Sequence, residues 1–222
     1  EKGGSDLFFS VGAPVTLKRE GDFFAFGNQP LAAGAVRELA WQVMNEKQIE
    51  EFEREQEMNL AVGLPNLGRF RINVFYQRSE VGMVVRHISN KIPAFADLGL
   101  PQQLERLALK DRGLVLVVGA TGSGKSTTLA SMLDYRNTNR AGHIVCIEDP
   151  IEFLHRHKKS IIDQREVGLD TQSFEHALRN VLRESPDVIM IGEIRDKATM
   201  QHALHYSETG HLVVATLHAT NS

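Results

Sequence analysis

The segment Gly119-Ala-Thr-Gly-Ser-Gly-Lys-Ser-Thr127, entered from the apolar run 114–118, constrains the fold of this chain more than any other stretch. It matches the pattern G-x-x-x-x-G-K-[ST] at every fixed position. A loop of this kind needs a strand that ends in a tight turn and a helix that starts at once. Its glycines let backbone N–H groups face inward, and the helix adds the positive end of its dipole. Gly119, Thr121, Gly122, Ser123, Gly124, Lys125, Ser126 and Thr127 are therefore the expected phosphate cradle. Lys125 supplies a full charge, and the Ser126 hydroxyl is placed for a metal ion. The ligand implied is a nucleoside triphosphate.

The surrounding pattern fits that demand. From Arg112 onward, apolar runs at 114–118, 144–148, 187–192 and 211–217 alternate with helical stretches. Strands this uniformly apolar are covered on both faces. After Ser173 the spacing puts Phe174, Ala177, Leu178, Val181 and Leu182 on one helical stripe; Asp196 is placed to cap the next helix and Gly210 to end it. The prediction is an α/β domain over 112–222, mostly parallel, with ligands at the carboxyl ends of its strands.

Residues 1–95 read differently. Val36, Leu39, Ala40, Val43 and Met44 recur at helical spacing and predict one amphipathic helix. From Arg69 the period is two, with Phe70, Ile72, Val74 and Tyr76 on one face and Arg71, Asn73, Phe75 and Gln77 on the other. Turns are expected at 65–68 and 79–82. Together these predict a small α+β domain. The prolines of 91–101 break both periodicities, and a linker is expected over 96–111.

Composition narrows the partners. The chain has 222 residues, 42% of them hydrophobic, with a formal charge of -3. That balance gives nucleic acid no basic face, so no nucleic-acid partner is expected. The cluster His155-Arg-His-Lys-Lys159 reads as a solvated loop. The single cysteine, Cys146, lies in an apolar run and reads as a buried small hydrophobe. No apolar run is long enough to span a membrane. The opening Glu1-Lys-Gly-Gly and the close at Asn221-Ser222 both read as cut ends.

A triphosphate site also needs acids. Asp187-Val-Ile-Met-Ile-Gly-Glu193 is an apolar strand that ends in a carboxylate, which aims Glu193 at a magnesium ion shared with the phosphates. Ile147-Glu-Asp-Pro-Ile-Glu152 gathers three carboxylates around a fixed bend at Pro150, and spacing does not choose among Glu148, Asp149 and Glu152. His202 and His205 share a helix face without a second ligand pair, so no metal other than Mg2+ is expected. His211 and His218 bracket a strand and, seven positions apart, face opposite sides of it. Spacing ranks neither above a structural histidine.

Taken in order, 119–127, Glu148-Asp-Pro-Ile-Glu152, Gln164-Arg-Glu-Val-Gly168, 187–195 and Thr209-Gly-His-Leu with Thr216-Leu-His218 resemble the Walker A, Asp box, Walker B and His box of the secretion ATPase superfamily. Gly3-Gly-Ser-Asp-Leu7 and Gly68-Arg-Phe-Arg-Ile-Asn73 resemble its PilT/PilU branch, the type IV pilus retraction motors. Gly82-Met-Val-Val-Arg86 and Gln164-Arg-Glu-Val-Gly-Leu-Asp170 are phrased more like the PilU side. The resemblance implies a PAS-like domain followed by a RecA-like ATPase domain, a homo-hexameric ring, and magnesium-ATP as the ligand. It implies Lys125 and Ser126 on phosphate and magnesium, Glu193 supporting the metal, and Glu152 as general base. His211 and His218 would form a nucleotide-sensing pair, and Arg71 and Arg86 would act as arginine fingers in a neighbouring subunit's site. It further implies a cytoplasmic motor peripheral to the inner membrane at the pilus base, with a paralogous retraction ATPase and a membrane platform protein as partners. The family normally continues well beyond the His box.

Three other readings compete. One is a related ATPase that drives pilus assembly or type II secretion. Another is a nucleotide-binding accessory subunit that depends on a paralogous motor. The last is a DNA-handling relative, which the acidic balance disfavours.

Overall fold

In the computed structural model, which describes residues 4–65 and 67–218, the unit Glu1–Ile88 is built on a six-stranded antiparallel sheet. The residues read as cut ends lie wholly or partly outside the described set, as does part of the turn expected at 65–68. Strands β1 (Asp6–Phe9), β2 (Thr16–Arg19) and β3 (Asp22–Ala25) precede two helices, α1 (Ala35–Val43) and α2 (Glu46–Glu55). Then come β4 (Glu57–Leu64), β5 (Gly68–Gln77) and β6 (Glu80–Ile88), and the spatial order is β3-β2-β1-β6-β5-β4.

The period-two reading holds in β5, whose Ile72 and Val74 are buried against Met58 and Leu60 of β4, Val81 and Met83 of β6, and Val36 and Ala40 of α1. Val43 ends its helix and is exposed, although the spacing placed it on the stripe. Sequence reading predicts one helix here; the second, α2, carries only Ile49 and Phe52 as apolar residues. A capping box starts it: the Gln48 amide donates to Asn45 Oδ1 at 2.9 Å and the Asn45 amide to Gln48 Oε1 at 3.0 Å. Phe52 then anchors it, fully buried and stacked on Tyr76 with ring centroids 5.0 Å apart. The expected turn at 79–82 is tighter than predicted. Arg78 and Ser79 alone make it, with φ of 50° and 64°, and Gly82 sits inside β6. A Cβ on Gly82 would lie 2.7 Å from the Phe75 ring, so the glycine makes room for an aromatic.

The second unit, Ser89–Ser222, starts earlier than the expected boundary near 95. Much of the stretch expected to be linker is helical: α3 (Phe95–Leu98) and α4 (Gln103–Ala108). Phe95 and Ala108 are buried with Met132 of helix α5 (Lys125–Asn139). The buried Arg136 of α5 donates to the carbonyls of Ala108 at 2.8 Å and Lys110 at 2.7 Å, which caps the end of α4. The prolines interrupt the helices without freeing the segment.

The sheet of this unit is parallel throughout, in the order β7-β11-β10-β8-β9. Its strands are β7 (Gly113–Gly119), β8 (Gly142–Glu148), β9 (Ser160–Glu166), β10 (Val188–Ile194) and β11 (Leu212–His218), and its later helices are α6 (Phe174–Val181) and α7 (Lys197–Glu208). Odd-numbered Val145, Ile147, Ile189, Ile191, Val213 and Ala215 face α6 and α7. Even-numbered Ile144, Cys146, Val188, Met190, Leu212 and Val214 face Leu129 and Leu133 of α5. Leu182 leaves the α6 stripe because the helix tightens into a single turn at Leu182–Glu184, and it is exposed. Asp196 caps α7 as expected, accepting from the Thr199 amide at 2.7 Å. Strand β9 was not foreseen.

Candidate functional site

Strand β7 delivers the chain to the loop 120–124, and α5 begins at Lys125. Gly122 and Gly124 hold φ of 77° and 88°, a conformation that L side chains avoid. Gly119 leaves room for the Ser123 hydroxyl, since a Cβ there would meet Ser123 Oγ at 2.7 Å and turn it aside. Helices α2, α6 and α7 have side-chain caps; α5 has none, and no acid stands in its first turn. Its first N–H groups are thus left for an anion. Lys125 is buried to 7% exposure, with Nζ donating to the Gly119 and Ala120 carbonyls at 2.9 and 2.8 Å.

A cavity of about 480 Å³ opens over this loop, at the carboxyl ends of the strands. That is within the roughly 300–1,000 Å³ of small-molecule sites. Thr121, Gly122, Gly124, Lys125, Ser126 and Thr127 line one side of it. Facing them are Glu148, Asp149, Glu152, Glu193 and His218. Gly119 and Ser123, also expected in the cradle, do not line the cavity.

The acids differ in surroundings. Glu148 ends β8 and is buried; burial pushes its carboxyl up to about 7, against hydrogen bonds from Gln164 and the Glu152 amide that favour the charged form. Asp149 pairs with Arg195 at 3.0 Å, and the same guanidinium contacts Glu193. Hydrogen bonding to Glu193 raises the Arg195 pKa further, so Arg195 is a fixed cation between two strand tips. Glu152 is exposed and lines the cavity, and no ion pair engages it among the described residues. Gly192 allows this convergence: a Cβ there would lie 3.1 Å from Glu148 Cα and 3.2 Å from the Ile147 carbonyl.

The two histidines part company. His218 ends β11, with Nδ1 3.4 Å from Lys125 Nζ and Nε2 3.4 Å from Glu193 Oε2. An ammonium only donates, so Nδ1 accepts and Nε2–H points to the carboxylate. His211 precedes the other end of the strand, where Nδ1 faces the Tyr206 carbonyl at 3.2 Å. At strand rise it stands roughly 20 Å from His218, so the two histidines expected to act as a pair are apart, and only His218 lines the cavity.

Arg71 and Arg86 belong to the N-terminal unit, where they are direct cross-strand partners on β5 and β6. Like charges so placed repel, and Asp6, the partner of Arg86 on β1, offsets this with a 2.6 Å ion pair. Asp6 is buried, which raises its pKa, but hydrogen bonds from Arg86 and Ser5 outweigh burial and hold it below its ordinary value.

Residues 156–159 form the exposed loop expected of 155–159, and His155 alone departs from it. His155 lines the cavity, and burial pushes its imidazole down to about 4, with Nδ1 buried and unpartnered among the described residues. Asn137, fully buried in α5, holds the Arg156 carbonyl and the Lys158 and Ser160 amides. Gln164 and Arg195 both lie within the motifs described above, yet no pattern in the sequence marks a role for either. The one cue, for Arg195, is a basic residue just past the acid of β10.

The set tests well against magnesium-ATP. Uncapped helix amides, a buried lysine and positive-φ glycines suit phosphates, while Ser126 and Glu193 line the same cavity. Among the described residues no cluster of three metal-ligating side chains occurs, so any ion here would take most of its ligands from phosphate and water.

Fold and site together define a phosphate-loop nucleotide-binding domain. The family model described as "Type II/IV secretion system protein" matches residues 25–222, and the chain belongs to that family. It is 54% identical over its full length to the type IV pilus ATPase PilU of Pseudomonas aeruginosa, and 46% identical to PilT of the same organism. It spans 58% and 64% of those two proteins. The crystal structure of the pilus retraction motor PilT with bound ADP superposes with a TM-score of 0.93 over 99% of this chain and 64% of that one, at 46% identity. The Legionella pneumophila ATPase DotB gives 0.82 at 27% identity, over 99% and 63% of the two chains.

Proposed function

We propose that this chain is the ATP-binding and ATP-hydrolysing part of a motor that powers type IV pilus retraction, and hence twitching motility. The observation that carries the reading is the single cavity edge where the phosphate loop, Glu152 and Glu193 converge. Lys125 and the first amides of α5 hold the phosphates. Ser126 and Glu193 hold Mg2+, which when bound neutralises charge on the β- and γ-phosphates. Glu152 accepts the proton of the attacking water; its open position at the rim favours it over Glu148 and Asp149, which are already engaged. His218 ties Lys125 to Glu193 and registers what the loop holds. Arg71 and Arg86 act in a neighbouring subunit's site within a homo-hexameric ring.

The proposal places the ring at the cytoplasmic face of the inner membrane, working with a paralogous retraction ATPase and a platform protein. No helix among the described residues is long and apolar enough to cross a membrane. Lys125→Ala should weaken ATP binding about tenfold to a hundredfold, the size of a lost charge-assisted contact. Glu152→Gln should leave binding intact and slow hydrolysis by roughly a hundredfold or more. Calorimetric titration and phosphate release measure the two, and unchanged binding in the lysine variant would defeat the site assignment.

A further inference from the structure

Strand β9 runs along the edge of the parallel sheet, and three of its inward side chains, Ser160, Gln164 and Glu166, are polar. Gln164 and Glu166 are alternate residues, so they stand on one face, beside the loop 149–155 that leaves β8. The Ile151 amide donates to Glu166 Oε2 at 3.3 Å. Gln164 Nε2 donates to the Phe153 carbonyl at 2.8 Å and to Glu148 Oε1 at 2.9 Å. Gln164 Oε1 accepts from the His155 amide at 2.9 Å. The loop is thus held at 151, 153 and 155, alternate positions on either side of Glu152. Three of the four hydrogen-bonding capacities of one amide are filled, which fixes its orientation.

We propose that Gln164 is a positioning residue for hydrolysis, fixing from β9 the backbone that carries Glu152 together with the Glu148 carboxylate beneath it. This rests on Glu152 as the base. No smaller or simpler side chain does the same work. Asparagine is one methylene too short to bridge both partners, leucine has the bulk and none of the bonds, and glutamate loses both donors and sets a second carboxylate against Glu148. A base displaced by about 1 Å costs roughly a hundredfold in rate while the phosphate grip is untouched.

The test measures turnover, ATP affinity and amide hydrogen exchange of the loop in Gln164→Leu, Gln164→Asn and Glu152→Gln. In Gln164→Leu, kcat should fall about a hundredfold with the Kd for ATP within about twofold, and the His155 amide should exchange at least about tenfold faster. Gln164→Asn, the milder change if leucine impairs folding, should fall between leucine and wild type on both readouts. Glu152→Gln should lose turnover with exchange unaltered. Wild-type exchange and turnover in either Gln164 variant would overturn the proposal. So would a Kd that rises in step with the loss of kcat, since Gln164 would then serve the ligand or the fold at large. Full turnover in Glu152→Gln beside faster exchange in Gln164→Leu would instead overturn the choice of base.

Discussion

Glu148 is the residue whose chemistry its surroundings change most usefully. Its ordinary value is 4.5 and burial raises it to about 7 in the folded chain. The protonated form therefore favours folding; the benefit is complete below the unfolded value and is lost as pH rises through about 7. Above that, the buried carboxylate costs the native state on the order of 3 kcal/mol. Glu148→Gln should unfold at a higher temperature than the wild type near about pH 8, with the gap closed near about pH 4, in nucleotide-free thermal scans. An equal gap at both pH values would show that Glu148 does not titrate as described. Lys125, Ser126 and Glu193 stand out in the sequence because a phosphate site admits few substitutes at those spacings, whereas Glu152 is singled out from its neighbouring acids only by the family resemblance. Gln164 was not, since an amide acquires its role only from the partners that folding brings to it. His211 matched a motif, yet strand length carries it away from the site.

At the scale of elements, the sequence spoke clearly wherever burial imposed a period. Strands β7, β8, β10 and β11 and helix α6 follow from apolar pattern, and helix α7 from the cap at Asp196 and the glycine that ends it. Helix α2 escaped because one buried ring and a capping box sustain it, with no stripe to see. Strand β9 escaped because its inward positions 160, 164 and 166 are polar, which erases the alternation. The close passage of β10 beside β8 was legible only as a glycine before an acid. Gly192→Ala should cost about 1–3 kcal/mol, because its Cβ would press on backbone of β8, which cannot rotate away. Urea unfolding measures that cost, and ATP turnover should fall with it as Glu148 and Glu193 lose their spacing. Wild-type stability in this variant would mean the two strands part more easily than their packing implies.

For the whole molecule, the two-part plan was legible from the change of texture along the chain, but the boundary was not. Prolines in 91–101 marked a break in periodicity, whereas packing of Phe95 and capping by Arg136 make the stretch part of the second unit. If Arg71 serves a neighbour, mixing Arg71→Ala with Lys125→Ala subunits should restore turnover, since a site with an intact Lys125 can take Arg71 from the adjoining subunit, an arginine finger being worth roughly a thousandfold or more. Turnover no higher than that of either variant alone would show that it acts only within its own subunit. One further consequence follows from Ser89, the first residue of the second unit, whose carbonyl accepts the Leu154 amide at 2.9 Å. That bond ties the start of the second unit to the segment carrying Glu152, so a shift of Ser89 is felt two residues from the acid.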